Sequence, residues 1–302
     1  MRLSQLSVLC IVLLLAGCSV TRLQKAGNTA PEEFYLKTNF EIYKGIVALD
    51  MTRDGTPGKY LFDTGADLSL IQRDTVIGRQ SKYSGASKRK MRLGRERVAS
   101  LAIGNIEFKK TRALNGDMVG LKEQIPNFGG LIGQPVIQKA NWLINYPEKI
   151  LEMSSYGLSD STFTEIKIER RNGNNPYTYL TFNGKSYRVV IDLGSSSMLN
   201  LPDDSEFAKE VTKAIDLFDH TRDRYTLGGL QNITEKIGVI PEITLGDFEL
   251  EDVKVNINTS SQPRIGSRFF EQFLVCIDNS EGGRYLLKRA DPNEPRPTVG
   301  GD

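Results

Sequence analysis

Apolar and polar residues alternate along most of this chain with the two-residue rhythm of β-strands, and the rhythm comes round twice. In the first round, Ile42-Tyr43-Lys44-Gly45-Ile46-Val47-Ala48-Leu49 leads through a turn-rich stretch at Asp54 to Gly58 into the run Tyr60-Leu61-Phe62-Asp63. In the second, Tyr177-Thr178-Tyr179-Leu180-Thr181-Phe182 is followed by an Asn183-Gly184 hairpin turn and then Val189-Val190-Ile191-Asp192. Each round is a hairpin whose second strand ends in an aspartate, with Gly65 or Gly194 two positions on. Later, Ile103-Gly104-Asn105-Ile106-Glu107-Phe108 parallels Leu245-Gly246-Asp247-Phe248-Glu249-Leu250, each an apolar-glycine-polar turn within strand alternation. Helical patterning is confined to about Asp203 to Leu217 and to short stretches near Pro135 to Lys139 and Ser267 to Gln272.

The agreement continues towards the end of each round. Leu131-Ile132-Gly133 parallels Arg264-Ile265-Gly266; Gly133 precedes Asn145 by twelve residues, and Gly266 precedes Asp278 by twelve. A turn and a last strand follow in each case, Lys149 to Met153 and Arg284 to Lys288. The pattern reads as an internal duplication and predicts two homologous lobes, 34–156 and 157–290, with the boundary in Ser154 to Asp160. A carboxylate at the end of a buried apolar strand is costly unless it turns to water or gains a partner. Two lobes related by a pseudo-twofold axis would supply one, because Asp63 and Asp192 could meet at that axis.

The ends of the chain read differently. Arg2, the apolar stretch Leu6 to Leu15 and the small residues after it form a secretory signal, too short to span a bilayer. Leu15-Ala16-Gly17-Cys18 resembles the bacterial lipobox, which implies acylation of Cys18 and a lipid-anchored place on the cell envelope, with Ser19 leaning towards the outer membrane. Residues 19–33 read as a polar tether and 291–302 as a disordered tail. Once Cys10 leaves with the signal and Cys18 is acylated, Cys276 is the one remaining thiol, so no disulfide forms within the mature chain and stability comes from the core. A net charge of +2 and the lack of a dense basic cluster beyond Lys88 to Arg97 argue against nucleic acid as a partner. One histidine and one mature thiol give no metal-ligand spacing, and no dinucleotide or P-loop glycine pattern is present, so neither metal nor cofactor is expected.

The residues around the two aspartates, Asp63-Thr64-Gly65-Ala66-Asp67 and Asp192-Leu193-Gly194-Ser195-Ser196, together with the downstream Ile-Gly pairs, resemble the two-lobed aspartic proteases of the pepsin and retropepsin superfamily. The resemblance spans roughly Phe40 to Lys288 and implies an all-β fold of two closed or partly closed barrel lobes with short helices. It also implies that Asp63 and Asp192 activate a water for peptide hydrolysis, that Thr64 braces the dyad across the axis, and that Gly65 and Gly194 permit close approach of the loops. Ala66 and Ser195 fall at positions that support the neighbouring aspartate, and Asp67 at one that either binds the substrate backbone or caps its own turn. Flaps over the cleft are expected at Tyr83 to Val98, with Gly94 at the tip, and at Arg222 to Glu235, around Gly228. The implied substrate is a peptide bound extended between the lobes, and the implied molecule is a monomer. Leu193 departs from the pattern, since it lacks the hydroxyl expected opposite Thr64. Leu193 and Arg264 together motivate the alternative, a degenerate pair of lobes that binds peptide or glycan in its cleft without cutting. A serine hydrolase built on Ser195 to Ser197 and the sole histidine, His220, lacks a Gly-x-Ser-x-Gly elbow.

Overall fold

The computed structural model describes residues 20–84, 90–171, 175–226, 229–280 and 282–290. The chain is mainly β. The first half contributes β1 (Asn28–Ala30), β2 (Tyr35–Asn39), β3 (Glu41–Tyr43), β4 (Ile46–Arg53), β5 (Thr56–Phe62), β6 (Ser69–Gln72), β7 (Gln80–Ser84), β8 (Lys90–Ile103), β9 (Ile106–Gly116), β10 (Phe128–Ile132), β11 (Asn141–Asn145) and β12 (Ile150–Ser154). The second contributes β13 (Thr164–Ile166), β14 (Glu169–Arg171), β15 (Asn175–Phe182), β16 (Lys185–Asp192), β17 (Leu199–Pro202), β18 (Phe218–Thr226), β19 (Gly229–Leu245), β20 (Phe248–Asn258), β21 (Arg264–Gly266), β22 (Phe273–Asp278) and β23 (Arg284–Arg289).

The strands form three sheets. One runs β1-β9-β6-β10-β5-β4-β8-β7, with β3 on β4 and a further pairing of β8 with β9; another runs β14-β15-β16-β21-β17-β20-β19-β18, with β19 also on β15. The strand order around each aspartate is the same. The Asp63 strand β5 has β4 antiparallel on one side and β10 parallel on the other, and the Asp192 strand β16 has β15 antiparallel and β21 parallel. Both hairpins use a two-residue turn with left-handed backbone at both positions, φ 50° and 82° at Asp54-Gly55 and 49° and 72° at Asn183-Gly184, which matches the twist of the flanking strands. The third sheet, β13-β23-β22-β11-β12-β2, draws on both halves and joins them through β11 and β22, where Trp142 faces Ile277 and Ile144 faces Val275.

The continuous apolar runs are explained by burial on both faces. In β5, Tyr60 and Phe62 point into the main core while Leu61 points the other way, into a smaller cluster with Leu68, Leu70, Leu93, Leu114 and Leu131. The main core is shared by both halves and includes Phe62, Trp142, Ile191, Leu193, Phe269 and Tyr285. Trp142 packs edge-on against Phe62 with ring centroids 5.2 Å apart, and its indole N–H donates to the Ile137 carbonyl at 2.8 Å, so the buried ring leaves no polar atom unmet. Cys276 is buried in β22, and burial followed by the nearby Asp278 charge pushes its thiol up to about 11, in keeping with an inert core residue.

Three local expectations are corrected. Residues 19–33 do not form a free tether where they are described: residues 20–24 make a helical turn, Gln24 is buried, and β1 pairs with β9. The polarity that reads as a tether is satisfied against the first lobe, for instance by Gln24 Nε2 donating to the Asp67 carbonyl at 2.9 Å. The helix expected over Asp203 to Leu217 is shorter, Glu206–Ala214, because Ser205 caps it by accepting from Ala208 N at 3.1 Å and Ile215 is already extended. Gly94 is not a flap tip but lies mid-strand in β8, between Gln80 of β7 and Asn115 of β9. It is glycine because β8 passes close to the preceding loop: a Cβ there would stand 1.8 Å from the Ile77 carbonyl oxygen. β7 pairs with β8 and β18 with β19, while residues 85–89 and 227–228, which include Gly228, lie outside the described residues, as do Cys18, the signal and the tail.

Gly94→Ala should therefore lower stability by about 1 to 3 kcal/mol, as overpacking against a fixed backbone does. Gly157→Ala, which meets nothing within 4 Å, is the control and should leave the urea midpoint in place.

Candidate active site

Each aspartate ends its strand at a turn that the downstream Ile-Gly pair holds from behind. Ala66 N donates to Asp63 O at 3.4 Å and Ser195 N to Asp192 O at 2.9 Å; behind them, Gln134 N donates to Ala66 O at 3.0 Å and Ser267 N to Ser195 O at 2.8 Å. A Cβ at Gly133 would stand 2.6 Å from Ala66 O, and one at Gly266 2.3 Å from Ser195 O, so the glycines of the two signatures perform one task in both lobes.

The two turns face each other. A Cβ on Gly65 would stand 2.8 Å from Cγ of Asp192, and a Cβ on Gly194 would stand 2.3 Å from Cγ of Asp63. Each lobe's glycine thus packs directly against the other lobe's carboxyl group, which brings the carboxyl groups together at the floor of a cleft of 2340 Å³ lined by both lobes. That volume exceeds an ordinary small-molecule pocket and leaves room for an extended chain.

Thr64 braces the pair alone. Its hydroxyl donates to the Ile191 carbonyl at 2.8 Å and accepts from Leu193 N at 3.0 Å, both across the lobe boundary, while Gln134 Nε2 holds the Thr64 carbonyl at 2.7 Å. Leu193, opposite, is fully buried in the main core. The missing hydroxyl is therefore replaced by apolar packing under the dyad, and the cross-lobe brace survives on one side.

The charges around the dyad are unequal. Asp63 Oδ1 accepts from Gly65 N at 2.9 Å, whereas Asp192 Oδ2 accepts from Arg264 Nη1 at 2.7 Å in a buried ion pair. Burial, and then the facing Asp192 charge, hold the Asp63 carboxyl well above the ordinary carboxylate range, against the opposing pull of the Gly65 N–H. The guanidinium thus stands on the Asp192 side of the pair, and the Asp63 carboxyl is the one held high. Arg264 pairs with Val190 in the parallel ladder as Leu131 pairs with Leu61, so in the second lobe a cation occupies the register position that is apolar in the first.

The supporting residues divide. Ala66 lines the cleft beside the apolar cluster. The expected link from Ser195 to its aspartate is not formed: Ser195 Oγ lies 3.0 Å from Ser197 Oγ, and Arg264 takes the place beside Asp192. Asp67 opens into the cleft, where the surrounding walls push its carboxyl up to about 6 despite a hydrogen bond from Asn175 of the other lobe. Gly94 is absent from the cleft lining, while Tyr83 lines it and accepts from Arg95 Nε at 3.0 Å. His220 also lines the cleft but makes no hydrogen bond to Ser195 or Ser197 among the described residues. No group of three or more His, Cys, Asp or Glu side chains gathers there as a metal ligand set among the described residues. Gln134, Asn175 and Arg224 belong to the site but escape sequence reading; for Gln134 the available signal was its place directly after the Ile-Gly pair.

The chain matches no protein-family model, and no curated protein matches it in sequence.

Two outcomes follow from this geometry. Thr64→Val, which keeps the shape but strands a buried N–H and a buried carbonyl, should cost about 1 to 3 kcal/mol in urea denaturation. For Asp63 the folded state holds its proton above the ordinary value of 3.8, so the folded protein binds more protons than the unfolded chain and stability falls as pH rises from there through the folded value. Asp63→Asn escapes that loss, so its melting temperature should exceed that of the parent by a margin that grows from pH 4 to pH 7. An equal margin at both pH values would contradict a raised Asp63 carboxyl.

Proposed function

We propose that this chain is an aspartic-type endopeptidase, built as two duplicated, closed or partly closed β-barrel lobes and carried on the cell envelope by a lipid on Cys18. The observation that supports it most directly is the reciprocal packing of Gly65 on Asp192 and Gly194 on Asp63, which no surface role for either aspartate would require. The unequal charges suit the chemistry. Asp192, as carboxylate, takes a proton from the attacking water while Asp63 donates its proton to the scissile carbonyl oxygen, giving a neutral geminal diol. On collapse Asp192 passes its proton to the amide nitrogen, Asp63 recovers one from a diol hydroxyl, and the C–N bond breaks. No covalent intermediate and no metal enters this sequence. The substrate is a peptide lying extended along the cleft under the two rim hairpins. With both carboxyl groups and both lobes in one chain, a monomer suffices.

A second reading draws on the Arg264 ion pair: a carboxylate bound to arginine could serve a cleft that holds peptide or glycan without cutting. The two readings separate on cleavage of a diverse peptide pool by the full-length protein between about pH 3 and 7, the range in which paired carboxyl groups titrate. The endopeptidase reading expects Asp63→Asn and Asp192→Asn each to lower the rate by at least about 100-fold. It also expects activity to persist above the ordinary carboxylate range and to fall as pH rises through the raised Asp63 value, where the dyad loses its last proton. No cleavage by the folded parent at any of these pH values would favour the binding reading.

A further inference from the structure

The two walls of the cleft differ in what they offer a bound chain. The first-lobe wall presents the apolar cluster of Leu61, Leu68, Leu70 and Leu131. On the second-lobe wall, β18 sends Arg222 and Arg224 to the cleft from alternate positions, and Arg264 joins them from β21. Two of these three guanidinium groups have a carboxylate beside them. Glu235 is paired with Arg222 at 2.5 Å and Asp192 with Arg264 at 2.7 Å, which leaves Arg224 without an ion pair among the described residues. Its one hydrogen bond there is to the neutral Gln231 Oε1 at 3.3 Å.

Two buried donors on this wall also lack acceptors: Nε of Arg224 and Nε of Arg264, the latter on a side chain only 7% exposed. Leaving such donors unmet is costly, and an ionised acceptor is the strongest partner a guanidinium can take. A carboxylate approaching this wall would ordinarily be repelled by Asp192. The Arg264 ion pair offsets that charge, and Arg224 adds a guanidinium with no ion pair among the described residues.

We propose that Arg224 and Arg264 form a carboxylate subsite on the second-lobe wall, so that the cleft selects chains carrying a carboxylate on this side of the dyad and an apolar side chain on the other. The subsite rests on the endopeptidase reading only in that the selected chain is then also cut; as a binding site it stands without that reading. Burial and the facing Arg222 and Arg264 guanidinium groups push the Arg224 guanidinium below its usual range, a strain that a bound anion relieves. The carboxylate can come from a glutamate or aspartate side chain or from a chain terminus, since both present the same two oxygens.

The test uses the full-length Asp63→Asn protein and two random octapeptide pools, one containing glutamate and the other glutamine in its place, each made with a free and an amidated C-terminus. Binding is measured by competition against a fluorescent member of the glutamate pool. The carboxylate-bearing pools should bind at least about tenfold more tightly than their neutral counterparts. Adding Arg224→Gln should collapse that ratio towards one, and Arg224→Lys should restore part of it, which a merely structural arginine would not do. A preference that survives in glutamate peptides with amidated ends identifies the side chain as the source; one lost on amidation identifies the terminus. Equal binding of all pools, or a preference unchanged by Arg224→Gln, overturns the proposal. Preferential binding with no cleavage by the parent keeps the subsite and sinks the peptidase reading; cleavage by the parent without any glutamate or terminal preference does the reverse.

Discussion

Two carboxyl groups enclosed at one seam cannot both carry charge cheaply, and the rest of the structure is arranged around that constraint. At a few ångströms in a poorly polarisable surrounding, the repulsion of two anions outweighs any single hydrogen bond that could hold them there. The chain meets it in two ways at once: the Asp63 carboxyl is held well above the ordinary carboxylate range, and Asp192 is paired with Arg264. The glycines that let the two turns touch, the Ile-Gly pairs that hold the turns from behind, and the threonine that ties them across the seam have meaning only because the carboxyl groups must meet.

The asymmetry of the site is as informative as its repetition. Strand order, turn geometry and the placing of the glycines agree between the lobes, whereas the side chains that set charge do not. Thr64 faces Leu193, and Leu131 answers to Arg264 in the ladder. One hydroxyl under the pair suffices because Thr64 both donates and accepts, so no additional polar group is needed at Leu193, which packs in the core instead. An arginine fits at the position where the first half has leucine because it pairs with the Asp192 carboxylate beside it.

Much of this was legible in the sequence, and the limits have physical causes. The two hairpins, the aspartates at their ends and the downstream glycines follow from alternation and turn chemistry, which act over a few residues. Gly94 misled because glycine reads as a turn signal, whereas here the requirement came from a non-local backbone contact at Ile77. Residues 19–33 misled because polar composition does not reveal partners elsewhere; Gln24 finds its partner at Asp67, across 43 positions. Ser195 misled because a hydroxyl bonds whatever lies nearest, and only the fold shows that Ser197 is nearer than the aspartate. Arg224 could not be singled out among many arginines, since its lack of an ion pair among the described residues is a property of its neighbours.

The sheet that joins the lobes has a consequence of its own. Because β11 and β22 bond to each other across the middle, neither lobe ends in a finished surface: a chain stopped near residue 156 would carry β11 with one bare edge, and the second half alone would carry β22 in the same condition. Bare inner strands with apolar faces recruit other strands, so the halves depend on each other for solubility as well as for the dyad. The two rounds of this chain thus complete one sheet between them, and each half covers the open edge of the other.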